Sequence, residues 1–216
     1  MSLIKQHAAH SVLREQIVEH LLVGRLLQRL WSENNAEVEI LRSEFDRGGY
    51  DLVADYGAVT RHIQLKCSRV EGTTREQTIS RNLGRKPSGC VLWIVVDDAL
   101  EFQHFLWFGA EPGLPLPSLD GMKVAKHVKG NSLGVRLERP NLCSVSKKHF
   151  QRLDLMDQVL DKLFGPSWRK ADRERTGVPD ENIRLDELIA GITPENRHPE
   201  VDWGPDVGKE RWWEEG

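Results

Sequence analysis

An acid, an amide oxygen and a lysine on two adjacent extended segments are the residues of this chain best placed to do chemistry. Tyr50-Asp51-Leu52-Val53-Ala54-Asp55 reads as one strand and Arg61-His62-Ile63-Gln64-Leu65-Lys66-Cys67 as the next, joined by a turn around Tyr56-Gly57-Ala58. Alternate side chains of a strand share a face, so Gln64 and Lys66 point one way while Ile63 and Leu65 point to the core. Asp51 at the start of the first strand then lies beside them. A carboxylate and an amide oxygen are hard ligands suited to Mg²⁺ or Mn²⁺, and an ammonium beside them suits the attacked phosphate of a phosphodiester. By spacing alone, the same residues also fit an ordinary hairpin with a lysine on its solvent face.

The elements around these residues supply the context. Val12, Ile17, Leu21, Leu22, Leu26, Leu27 and Leu30 recur at helical spacing, which predicts a helix from about His10 to Trp31 with Ser11 as N-cap. Glu37 to Leu41 alternates like a first strand, and Gly48-Gly49 allows close backbone approach just before Asp51. The stretch 68–89, with Arg69, Arg75, Arg81, Arg85 and Lys86, is expected to be a helix whose cations either meet phosphates or are simply solvated. Cys90 to Asp97 is a continuous apolar run that reads as a buried strand, and Phe102 to Phe108 reads as another, its aromatics serving the core. Residues 111–119, with three prolines, form a loop. Lys123, Lys126, His127, Lys129, Arg136 and Arg139 form a second basic cluster. A last helix is expected from Ser146 to Phe164, ended by Gly165-Pro166. The fold class is therefore α/β: a mixed sheet covered by the first, middle and last helices, followed by an extended C-terminal tail.

The order of long helix, Glu44 to Val53, then Ile63-Gln64-Leu65-Lys66 resembles the PD-(D/E)XK nuclease superfamily, over roughly residues 10 to 110. The resemblance implies a restriction-endonuclease-like mixed sheet flanked by helices, spanning residues 1–165, and a Mg²⁺-dependent DNA endonuclease. It also implies that the first helix supplies a glutamate, for which Glu19 is the choice, although Glu19 suits a solvated helix face equally well. The catalytic set is then Asp51, Gln64, Lys66 and Glu19, with Asp51, Gln64 and Glu19 on the metal. Glu44 and Asp46 are further acids that could serve as ligands or be merely solvated. Gln64 stands where most members carry Glu, which removes one negative charge and predicts weaker Mg²⁺ binding.

Length, charge and cysteines bound the rest. The 216 residues suffice for one domain and an extension. No run approaches the roughly eighteen apolar residues of a membrane span, and no leader pattern opens the chain. Cys67, Cys90 and Cys143 are odd in number and widely spaced, which reads as free thiols in a reducing, cytoplasmic compartment. The net charge of −3 hides an asymmetry: residues 1–170 hold 24 Lys and Arg against 20 Asp and Glu, whereas residues 171–216 hold 6 against 13. A basic body suits a polyanion such as DNA, and an acidic tail suits a basic partner or the body itself.

That tail carries its own pattern. Residues 166–182 read as a linker. Leu185, Leu188, Ile189 and Ile192 then form one apolar stripe, followed by an acidic segment with Val201, Asp202, Trp203 and Trp212 as spaced anchors. Leu185, Glu187, Leu188, Ile192 to Asn196, His198, Asp202 to Gly204, Lys209, Glu210 and Trp212 closely resemble the toxin-binding tail of MazE-type antitoxins. The resemblance implies that residues 183–212 wrap a MazF-like ribonuclease toxin, with Leu185, Leu188, Ile192, Val201, Asp202, Trp203 and Trp212 in contact. Folding back onto the body is the alternative for this segment. The sequence thus offers an endonuclease with a toxin-binding tail, or an antitoxin whose nuclease-like body only binds DNA or dimerises. A homodimer stays open, because no coiled-coil repeat or other self-association signal is present.

Overall fold

The computed structural model describes residues 10–45, 48–127 and 136–169, all within the unit Met1–Gly177. Helix α1 spans Ser11–Trp31 and buries Val18, Leu22, Leu26 and Leu30, one residue per turn along a single stripe. Its N-cap is His10, not Ser11, and no side chain caps it. The strands β1 (Glu39–Arg42), β2 (Leu52–Tyr56) and β3 (Val59–Arg69) form an antiparallel meander. The turn between β2 and β3 is the expected one, with Gly57 at φ 56. Strand β5 (Gly89–Val96) joins β3 in parallel, and β6 (Phe102–Gly109) and β9 (Gln151–Leu153) complete a six-stranded mixed sheet in the order β1-β2-β3-β5-β6-β9. All eight residues of β5 are buried, as a strand covered on both faces must be.

The two faces are covered differently. Cys90, Leu92, Ile94 and Val96 point to the face occupied by α1 and by helix α2 (Met156–Phe164). Val91, Trp93 and Val95 point to a second, three-stranded sheet built from β4 (Glu76–Ser80), β8 (Glu138–Ser146) and β7 (Lys123–Lys126), in the order β4-β8-β7. The expected middle helix over 68–89 is therefore corrected: β3 runs to Arg69, β4 follows, and only Arg81–Arg85 is helical, as a 3₁₀ turn. Ile79 is fully buried against Cys143 and Val145, so pairing with β8 overrides whatever helical preference the segment has. The basic Lys123–Lys126 segment is the strand β7.

The last helix is shorter than Ser146–Phe164. A 3₁₀ turn at Lys147–His149 and strand β9 precede it, because Phe150 packs on one face of the large sheet and Leu153 on the other. One helical stripe could not reach both faces. Gln158 Oε1 accepts the N–H groups of Asp154 and Leu155 and so starts α2 there. At its other end Arg61, fully buried on β3, donates to the carbonyls of Lys162 (2.7 Å), Leu163 (2.9 Å) and Ala110 (2.9 Å). A guanidinium at a helix C-terminus closes carbonyls that have no intrahelical partner. The three cysteines are free thiols, and no helix among the described residues is long and apolar enough to cross a membrane.

Candidate active site

The geometry begins at the β2–β3 ladder. Leu52 pairs with Ile63, so one step further Asp51 lies across from Gln64. The Asp51 backbone N–H donates to the Ile63 carbonyl at 2.9 Å, and its Oδ2 accepts the Leu65 N–H at 2.6 Å. A carboxylate held by a backbone N–H is a short, charge-assisted contact, and it fixes where the acid sits relative to β3. Two residues along, Lys66 pairs with Trp93 of β5.

Asp51 and Lys66 line one cleft of about 380 Å³ together with Glu15 and Glu19 of α1 and Gln77 of β4, over an apolar floor of Val18, Leu65 and Ile94. The first helix does bring an acid to the strand acid and the lysine. Glu19 is about three-quarters buried there, and its Oε1 pairs with Arg42 Nε at 3.0 Å, a contact that orients the carboxylate toward β1. Lys66 forms no ion pair among the described residues. The polar wall residues Glu15, which shares a helical face with Glu19, Gln16, Cys67 and Gln77 fell outside the sequence-derived set. Gln77 could be placed only once 76–80 is recognised as a strand.

Gln64 behaves differently. It is buried at 6 % exposure and does not line the cleft. Its Oε1 accepts the Ser80 N–H at 3.2 Å, which ties β3 to the end of β4. A carbonyl oxygen has a second lone pair, so this bond occupies one of two acceptor positions. Glu44 is exposed, and Asp46 lies outside the described residues.

Chemically the cleft holds oxygen donors and one ammonium. Among the described residues no three His, Cys, Asp or Glu side chains cluster closely enough to form a dense metal cage. Mg²⁺ does not require one: it keeps much of its water and is held by one or two carboxylates plus substrate phosphate. Asp51 and Glu19 fit that pattern. Cys67 also lines the wall, and burial pushes its thiol up to about 11, so it stays protonated at neutral pH and supplies no thiolate nucleophile.

Several basic residues already have structural work. Arg69 pairs with Asp98, Arg81 donates to the Leu119 and Met122 carbonyls, Lys86 lies over the Tyr50 ring, and Lys126 pairs with Glu138. Arg75, Arg85, Arg136 and Arg139 are exposed, and Lys129 lies outside the described residues. The tail residues Leu185, Leu188, Ile192, Val201, Asp202, Trp203 and Trp212 lie outside them too.

Replacing Gln64 by Leu would leave the buried Ser80 N–H without its acceptor and is expected to cost about 1–3 kcal/mol, read as a lower denaturation midpoint. An unchanged midpoint would show that the bond to Ser80 holds nothing in place. A scan of protein families gives no match to this chain, and no curated protein matches it.

Proposed function

We propose that the chain is a metal-dependent endonuclease that hydrolyses DNA phosphodiester bonds, on a restriction-endonuclease-like body. The observation that carries this reading is the meeting of Asp51, Glu19 and Lys66, from two strands and the first helix, in one cleft. The helix followed by an antiparallel meander, with β5 parallel to its last strand, supports the fold assignment. The crossover from β3 to β5 departs from the expected helix, since β4 and a 3₁₀ turn make it instead.

Gln64, the third expected ligand, is buried off the cleft and bonded to the Ser80 N–H, so it would serve as support for β4 and not as a ligand. Asp51 and Glu19 would hold Mg²⁺ or Mn²⁺. Bound there, the ion lowers the pKa of water and neutralises charge on the phosphate. The protein's own part is positioning. The Leu65 N–H holds Asp51, and Arg42 holds Glu19, so neither carboxylate must reorganise when substrate arrives. Lys66 would direct its N–H bonds to the attacking water or to the oxygen on which negative charge develops. Among the described residues no histidine lines the cleft, so the leaving oxygen would take its proton from solvent.

Cleavage of supercoiled, linear and branched DNA with Mg²⁺ or Mn²⁺ tests the reading. Lys66→Ala is expected to lower the rate by at least about 10²-fold while leaving the thermal midpoint unchanged. Cutting at the wild-type rate by that variant would remove Lys66 from the mechanism, and absence of cutting by the wild type on all substrates would remove the enzyme.

The tail pattern favours a second, compatible reading: an antitoxin of a MazF-type toxin. The resemblance of its residues carries that reading, and an acidic segment would supply negative charge where RNA phosphates otherwise lie. Trp203→Ala is expected to weaken binding to a MazF-like toxin by at least about 30-fold, the loss of one aromatic anchor. Equal affinity of both proteins in a calorimetric titration would leave the tail without this role.

A further inference from the structure

A helix that covers one core needs apolar residues on one face, but α1 carries them on two. Opposite its buried stripe, Leu13, Ile17, Leu27 and Trp31 are 53, 38, 39 and 74 % exposed. At 3.6 residues per turn these four share one outward face with Gln16, His20, Gly24 and Gln28. Gln16 and Arg14 sit at its two rims, and no Asp, Glu, Lys or Arg of the helix falls between them, in a chain of which 29 % is charged. Depletion of charge together with exposed apolar side chains marks the core of an interface.

We propose that this face is an interface between two copies of the chain, with their α1 helices crossing antiparallel about a twofold axis at Gly24. The face is arranged symmetrically around that glycine. Ile17 lies seven residues before it and Trp31 seven after; Leu21 lies three before and Leu27 three after; His20 and Gln28 lie four to either side. In an antiparallel pair each position meets the one equally far from the axis on the other copy. Ile17 then meets Trp31, Leu21 meets Leu27, His20 meets Gln28 and Gly24 alone meets itself, while the mate position of Leu13 falls beyond the end of α1. Among the described residues nothing explains a glycine there, since an added Cβ would have no neighbour within 4 Å, yet glycine weakens a helix interior. At a crossing point it lets two backbones approach closely.

Charge does not oppose the pairing. The flanking arginines are each matched within their own copy: Arg14 with Glu15 at 3.8 Å, Arg42 with Glu19 at 3.0 Å, and Arg25 with Glu101. Size sets the strength. A helix face about 31 Å long and about 10 Å wide covers less than the roughly 800 Å² per partner of a standard interface. The dimer is therefore weak and depends on concentration. It is independent of the chemistry in the cleft.

The full-length protein is examined by sedimentation equilibrium from about 1 to about 100 µM, a range that brackets a micromolar association. Monomer is expected at the low end and dimer at the high end, and Trp31→Glu is expected to stay monomeric with an unchanged thermal midpoint. Gly24→Cys, oxidised mildly, is expected to yield a disulfide-linked dimer, because position 24 meets its own mate. Gln16→Cys, exposed on the same helix but away from the axis, is expected not to. Wild type is the control for Cys67, Cys90 and Cys143, which are half-buried or buried. A wild-type monomer throughout would overturn the proposal and indicate that another protein or residues 183–216 cover the face. So would a dimer that survives Trp31→Glu, or one that fails to cross-link through Gly24→Cys.

Discussion

The parallel ladder between β3 and β5 is the constraint on which the remaining structure depends. Eight residue pairs, from His62 with Gly89 to Arg69 with Val96, fix these two strands in register. Because β5 is buried on both faces, a slip by one residue would exchange Leu92, Ile94 and Val96 for Val91, Trp93 and Val95 and mismatch both cores at once. Register is therefore strongly specified. Trp93 adds a polar lock, with its indole N–H donating to Ser68 Oγ at 2.8 Å. Everything at the cleft inherits this precision: Lys66 pairs with Trp93, Leu65 presents its N–H to Asp51, and α1 docks on the Leu92 and Ile94 side with Glu19 at the rim.

Gln64 and Gln77 serve the site in different ways. Gln64 sits where a ligand was expected, yet its oxygen holds the Ser80 N–H and its side chain is buried. A neutral amide is suited to that position, because a carboxylate buried to the same degree would bear a desolvation cost that one backbone N–H only partly offsets. The same contact sets the end of β4, and thereby places Gln77 on the cleft wall. Gly49 completes the junction: at φ 75 it packs so close to Ser80 that a Cβ would lie 2.3 Å from the Ser80 Cβ. Thus the residues that read as a metal motif also form the joint between the two sheets.

Elements with a strong local pattern were legible in the sequence. The α1 stripe, the β2–β3 hairpin around Gly57, the apolar run of β5 and the aromatic β6 all follow from period and turn chemistry, and they deliver Asp51, Lys66 and Glu19 to one place. The second sheet was not legible. Strand β4 is a five-residue strand in a polar, basic stretch, and only pairing with β8, more than sixty residues away, makes it a strand. Helix α2 was read too long because Phe150 and Leu153 continue its apolar spacing, although they serve opposite faces of the sheet. The engagement of Gln64 and the presence of Gln77 depend on that unseen sheet, so neither could be read from spacing.

The central claim is that Asp51 and its neighbours form a divalent-cation site. The measurement that addresses it most directly is anomalous scattering from crystals of the full chain soaked with Mn²⁺. The account predicts a peak against the Asp51 carboxylate, lost in Asp51→Asn crystals of the same form. A well-ordered cleft with no peak, or a peak that persists unchanged without the Asp51 carboxylate, would contradict it.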